Sequence, residues 1–168
     1  MSAGDQPDVS PEAFRSAVGR LPAGVAVITL RWRGTSHAMT ASAITSVSLE
    51  PPMLLFCVHT DARFRDALDE VDTWSVSVLA DDQGHTADWL ASPGRPAIDQ
   101  LARVPHRPAP VADAVWVDGA AAWFDCRTDS VHRAGDHDVV VGSVLAAAQG
   151  AAGAGGLVHL RGRLRPVR

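Results

Sequence analysis

Residues 38–58, AMTASAITSVSLEPPMLLFCV, decide how the rest of the chain is read. They predict a strand of small and hydroxyl-bearing side chains, a bend, a turn at Pro51-Pro52, and a dry strand over residues 53–58. Thr40, Ala41, Ser42 and Ala43 leave room beside the backbone. Together with the hydroxyls of Ser42, Thr45 and Ser46, that backbone can face a flat polar ring. A strand built only for a core would spend those positions on Val, Ile and Leu. An edge strand, where Ser and Thr are common, accounts for the same residues, so composition leaves both readings open.

Upstream, Ser10-Pro11 predicts a helix start, an N-cap followed by proline at the first helical position. Phe14, Val18 and Leu21 mark its apolar face, and residues 21–24 end it. Residues 25–32, VAVITLRW, read as a strand, and Arg33-Gly34-Thr35 as a hairpin turn into the central stretch. Residues 1–9 are expected to be disordered, and residues 10–168 to form one domain.

Downstream, a helix is expected from Arg63 to about Val71, with Leu68 and Val71 inward. Its N-terminus suits a phosphate, with Arg63 and Arg65 adding charge. A solvated helix face explains the same arginines. Residues 74–79, WSVSVL, alternate with period two and predict a strand with one wet face. Residues 81–90 read as a short helix capped by Asp81 or Asp82, with Trp89 and Leu90 inward. A loop over 92–96 and a helical turn over 97–101 come next. Residues 104–110, VPHRPAP, read as a surface connector carrying a solvated His106. Asp118-Gly119 signals a hairpin between strands at 115–117 and 120–126. A tight turn at Gly135-Asp136-His137 feeds a strand. Residues 150–156 form a Gly-rich loop without G-x-G-x-x-G, residues 157–160 the last core strand, and residues 161–168 a basic tail. Strands dominate, connections are short, and nothing alternates as βαβ. The pattern predicts a closed or split antiparallel barrel with peripheral helices.

Composition narrows the chemistry. Net charge is −4, and all fifteen basic residues are arginine. Nucleic acid is therefore not the expected partner. There is no Lys, Asn or Tyr, which excludes Schiff-base lysine chemistry, a P-loop and tyrosine acid–base roles. Cys57 and Cys126 sit in apolar runs without zinc spacing and read as buried thiols. No run approaches the roughly 18 apolar residues of a membrane span. The polar N-terminus lacks a signal-peptide core, which points to the cytoplasm. No Ser-His-Asp set or G-x-S-x-G is present. His137, after Gly-Asp at a strand rim, can turn its imidazole outward toward a carboxamide or a ring edge.

Several of these stretches resemble the flavin reductase family. They are T-A-S-A at 40–43, S-V-S-L-E-P-P at 46–52, L-L-F-C-V at 54–58, F-R-x-x-x-G-x-L-P-x-G-V-x-V-I-T at 14–29, and Gly135-Asp136-His137. The resemblance covers about residues 12–165. It departs at Ala62-Arg63-Phe64, where the family carries a hydroxyl on each side of the arginine. It departs again at His159, Leu160 and Leu164, where aromatic residues are usual. The resemblance implies a mainly β, FMN-binding split β-barrel, a homodimer with flavin near the subunit interface. It also implies an NAD(P)H:flavin oxidoreductase that uses FMN or FAD, with NADH or NADPH as co-substrate. The reduced flavin would pass to a partner monooxygenase. The implied flavin-binding residues are Thr40, Ala41, Ser42, Ser46, Val47, Cys57, Val58, His59 and Arg63, with His137 on the nicotinamide. The alternative is a non-catalytic flavin- or haem-binding module of the same shape. A pyridoxamine-phosphate oxidase is disfavoured, because such sites lean on several basic residues, lysine included.

Overall fold

The computed structural model describes residues 9–92, 94, 96 and 98–168. Most of the disorder expected at residues 1–9 thus lies outside the described residues. In chain order the elements are α1 (Pro11–Val18), β1 (Ala23–Gly24), β2 (Ala26–Trp32), β3 (Thr35–Ala41), β4 (Ile44–Leu49), β5 (Pro52–His59) and α2 (Arg63–Ala67). Then come β6 (Thr73–Val78), α3 (Gly84–Ala91), β7 (His106–Pro108), β8 (Val115–Val117), β9 (Ala122–Ala134), β10 (His137–Gln149), β11 (Gly156–Leu160) and β12 (Arg163–Val167).

Seven strands form one antiparallel sheet in the order β3-β2-β6-β9-β10-β5-β4. Its two edge strands, β3 and β4, are consecutive in sequence and joined only by Ser42 and Ala43. That link spans about 10 Å at full stretch. The edges of a flat seven-stranded sheet lie roughly 28 Å apart. The sheet must therefore roll until its borders meet at this corner. The Cys57 N–H donates to the Ala43 carbonyl at 2.9 Å and holds the corner on β5. Away from the corner the borders stay unpaired, and the result is a split β-barrel.

Residues 25–30 have no wet position because β2 is buried on both faces, and the Thr29 hydroxyl within it donates to the Val115 carbonyl. Ala26, Ile28 and Leu30 join Phe56, Val58, Phe64, Trp74 and Val140 in one core. Val25 and Val27 join Ala38, Leu79, Ala87, Leu90 and Val117 in a second core, which α3 and β8 help to cover. The β2–β3 hairpin turns through Arg33 (φ 50°) and Gly34 (φ 78°), as the Arg-Gly-Thr signal predicts. At Gly142 the backbone of β10 passes so close to Trp74 that an added Cβ would sit 2.5 Å from Cζ2. Both cysteines are free thiols. Burial, with Asp125 beside it, pushes the Cys126 thiol up to about 12.

Several local expectations are corrected. β6 has no wet face: Ser75 and Ser77 are fully buried. Ser75 Oγ donates to Asp125, its partner across the β6–β9 ladder, and Ser77 Oγ accepts the Val117 N–H from β8, so a neighbouring strand and a second layer supply the partners that water would have given. Asp118-Gly119 joins no hairpin. β8 pairs with β7, whereas β9 pairs with β6 and β10. Residues 106–108, read as a connector, thus form a ladder despite Pro108. Residues 161–168 are not a tail, because β12 pairs with β11 through a turn at Arg161 (φ 53°) and Gly162 (φ 70°). The apolar face of α1 is not buried: Phe14, Val18 and Leu21 are all exposed. α2 stops at Ala67, short of the expected Val71, though Leu68 is buried and Val71 packs on the core. Gln83, not an aspartate, precedes α3. Ala97 lies outside the described residues, and residues 98–101 form no helix, with Asp99 at φ 58°.

Candidate functional site

Where the rolled sheet parts, a cleft of about 980 Å³ opens between β3, the Ser42-Ala43 corner, the end of β5, the start of α2 and the end of α3. That is the large end of the range for ligand sites, roughly 300–1,000 Å³. Eight of the ten residues singled out from sequence line it: Thr40, Ala41, Ser42, Cys57, Val58, His59, Arg63 and His137. Ser46 and Val47 are not brought there; they lie exposed on β4, outside the lining.

The wall has the shallow relief that small residues give. Ala41 and Val58 pack into the core, while Ser42 and Ala43 stand exposed at the corner. Thr40 Oγ1 donates to the Ala87 carbonyl at 2.8 Å, so its proton pins α3 and only its lone pairs remain for a guest. Cys57 is half-buried, and burial pushes its thiol up, which suits a wall and not a thiolate nucleophile.

At one end of the cleft β5 and β10 place His59 beside His137. The His59 Nδ1 accepts the Asp61 N–H at 3.1 Å, so the neutral ring carries its proton on Nε2. The His137 Nδ1 lies 2.7 Å from Asp136 Oδ1. That contact comes first among the causes holding the Asp136 carboxyl below the usual carboxylate range.

α2 carries two arginines with different fates. Arg65 binds the carboxylate of Asp138, which Arg133 also contacts at 2.6 Å, and reaches Asp69 at 2.7 Å. The Asp138 carboxylate is 3% exposed, and the Arg65 hydrogen bond leads in holding its pKa below the ordinary range. Arg63 makes no ion pair or hydrogen bond among the described residues, and it lines the cleft. The fold uses Arg65 and leaves Arg63 without a protein partner among the described residues.

Sequence reasoning passed over His37 and Gln100, which also line the cleft and are buried. The sequence places Thr35 in the hairpin turn and singles out neither Ser36 nor His37. The burial of His37 arises from Trp32 beside it and from the cleft wall, which no local pattern shows. Gln100 sits in the segment expected to be a helical turn.

The seam of this split barrel thus offers a large cleft that carries, among the described residues, an arginine without a protein partner and a pair of histidines. The description "Flavin reductase like domain" matches residues 18–168, and the chain belongs to that family. It is 33% identical over 153 residues to a probable flavin reductase of Rhizobium meliloti (strain 1021), covering 90% of this chain and 47% of that protein. The chain thus spans about half of that relative's length. In structure it is similar to BorF, the flavin reductase component of a bacterial two-component tryptophan halogenase. That likeness has a TM-score of 0.87 and 36% identity over 94% of this chain and 98% of the other. It is also similar to a Streptomyces globisporus NADH:FAD oxidoreductase in complex with NAD and FAD fragments. There the TM-score is 0.86 and identity 31%, over 95% and 96% of the two chains.

Proposed function

We propose that the chain holds FMN or FAD in the seam cleft and reduces it with NADH or NADPH, so that the reduced flavin serves a partner oxygenase. The carrying observation is the pairing, on one cleft, of Arg63, which has no partner among the described residues, with the His59–His137 pair. The bound flavin supplies the hydride acceptor. The small wall at Thr40–Ser42 and the end of β5 at Cys57–His59 position the ring. Arg63 balances the charge of its phosphoryl end. His137, fixed through Nδ1 by Asp136, offers Nε2 to the nicotinamide. Hydride transfer needs no strong acid–base pair, in keeping with a cleft where His59 and His137 are each held by one neighbour. Ser46 and Val47 drop out of the ring contacts, because they lie off the cleft.

A homodimer with the cleft near the subunit contact accords with the bare apolar surface of Phe14 and Leu21 and of Val47 and Leu49 on edge strand β4. Among the described residues no helix is long and apolar enough to cross a membrane. The free thiols accord with a reducing, cytoplasmic setting. The partner's class is suggested by relatives such as the halogenase reductase.

The test is oxidation of NADH and NADPH by the purified chain with FMN and with FAD, monitored by nicotinamide absorbance. Turnover with at least one pair is expected. A protein that binds flavin but turns over none of the four pairs is a binding module and ends the reductase reading.

A further inference from the structure

His37 and Gln100 are each 7% exposed and line the same cleft as Arg63. Neither is fully used by the fold. The His37 ring leans on Trp32, with centroids 5.4 Å apart, and its nitrogens have no hydrogen-bond partner among the described residues. Gln100 Oε1 accepts the Ala38 N–H at 3.0 Å, which fixes the carboxamide and leaves the Nε2 protons without an acceptor among the described residues. Buried donors are ordinarily satisfied, so two left open on one cleft point to a guest that accepts. Asp99, just before Gln100, takes a left-handed backbone (φ 58°), a conformation that a residue with a Cβ adopts at a cost.

The neighbouring charges agree. Burial first, and then the Arg63 charge, holds His37 below its ordinary pKa, so the corner sets a neutral imidazole beside a guanidinium. Ala62 and Phe64, on either side of Arg63, offer no side-chain donor. Among the described lining residues Asp61 is the one carboxylate; it is exposed, and its N–H is bound to His59. A phosphoryl group presents three terminal oxygens. One guanidinium forks onto two of them, and the remainder need neutral donors from another direction.

We propose that His37 and Gln100 complete a phosphoryl-binding corner with Arg63, the imidazole N–H and the carboxamide Nε2 donating to the oxygens whose charge Arg63 balances. This rests on the flavin reading above and assigns the phosphoryl group to the flavin.

Dissociation constants for FMN and riboflavin, which differ by that phosphate, test it by flavin fluorescence, with NAD⁺ as a third ligand. His37→Phe keeps a ring against Trp32 and removes the donor. Gln100→Glu keeps an oxygen for the Ala38 N–H and sets a negative charge where the donor stood. FMN binding is expected to weaken about tenfold or more in either variant. Riboflavin binding should stay within about twofold, which also certifies the fold. Equal losses for both flavins, no loss for either, or a loss confined to NAD⁺ overturns the corner. A wild-type chain that binds none of FMN, riboflavin and FAD overturns the flavin reading itself, and the corner with it; one that binds FAD but not FMN overturns the corner alone.

Discussion

His59 and His137 are partners in the β5–β10 ladder, and their rings meet edge to face with centroids 5.2 Å apart. Each has its Nδ1 taken by a neighbour, Asp61 N–H for one and Asp136 for the other. Nε2 is the nitrogen left on both rings. A nicotinamide carboxamide brought to this end of the cleft would find an Nε2–H donor fixed on His59 and, on the neutral His137 whose Nδ1–H faces the Asp136 carboxylate, a fixed Nε2 acceptor.

His137→Ala is therefore expected to raise KM for NADH about tenfold, the worth of one good hydrogen bond. The FMN dissociation constant should move by no more than about twofold. Steady-state kinetics and flavin titration check this together. A joint loss of both, with a lowered melting temperature, makes the residue structural.

Arg65 and Arg63 should separate cleanly. Arg65→Ala strips a buried carboxylate, Asp138, of its principal partner and lowers the melting temperature; Arg63→Ala removes an unpaired charge and leaves melting unchanged. The pH dependence carries a sign. The folded pKa of Asp138 is depressed, so its contribution is present above the ordinary carboxylate range and lost as pH falls through the folded value. Melting curves across that acid range should fall less steeply in Arg65→Ala than in wild type. An identical slope would contradict the role given to this pair.

Gly142→Ala forces a methyl group to within 2.5 Å of Trp74, a side chain that is fully buried and tied through Nε1 to Thr128. The indole cannot retreat, and a loss of about 1–3 kcal/mol is expected from urea unfolding. A neutral result would mean that β10 shifts freely there.

Asp125 is fully buried and accepts four hydrogen bonds: Ser75 Oγ at 2.6 Å, Trp116 Nε1 at 2.7 Å, Val111 N at 2.8 Å and Ala112 N at 3.2 Å. It ties the segment before β8 to the main sheet. Asp125→Ala orphans all four donors, and a cost of about 3 kcal/mol or more is expected by chemical denaturation. An unchanged midpoint would show that water takes over the contacts.

The cleft lining was legible in sequence chiefly through the family resemblance, since the residue types at 40–43 suited an edge strand equally well. Small and hydroxyl side chains at 40–43 mark both an edge strand, which β3 is, and the corner that lines the cleft. The rim histidine after Gly135-Asp136 was legible because a tight turn pushes the next side chain toward solvent. The errors share another cause. Alternation in WSVSVL reports a polar face but not whether a second layer covers it. Asp118-Gly119 reports a turn but not which strands flank it in space. His37 and Gln100 owe their importance to tertiary burial, and neither sits in a local pattern that announces it.

Because Ser42 and Ala43 stitch the first hem of the sheet to the last, whatever lodges against them grips both ends of one hoop. Such a guest would act as a clasp, slowing amide exchange in β3 and β4 together although these strands share no ladder. Loss of the clasp would let the hoop slacken from the opposite rim, far from where the ligand had been.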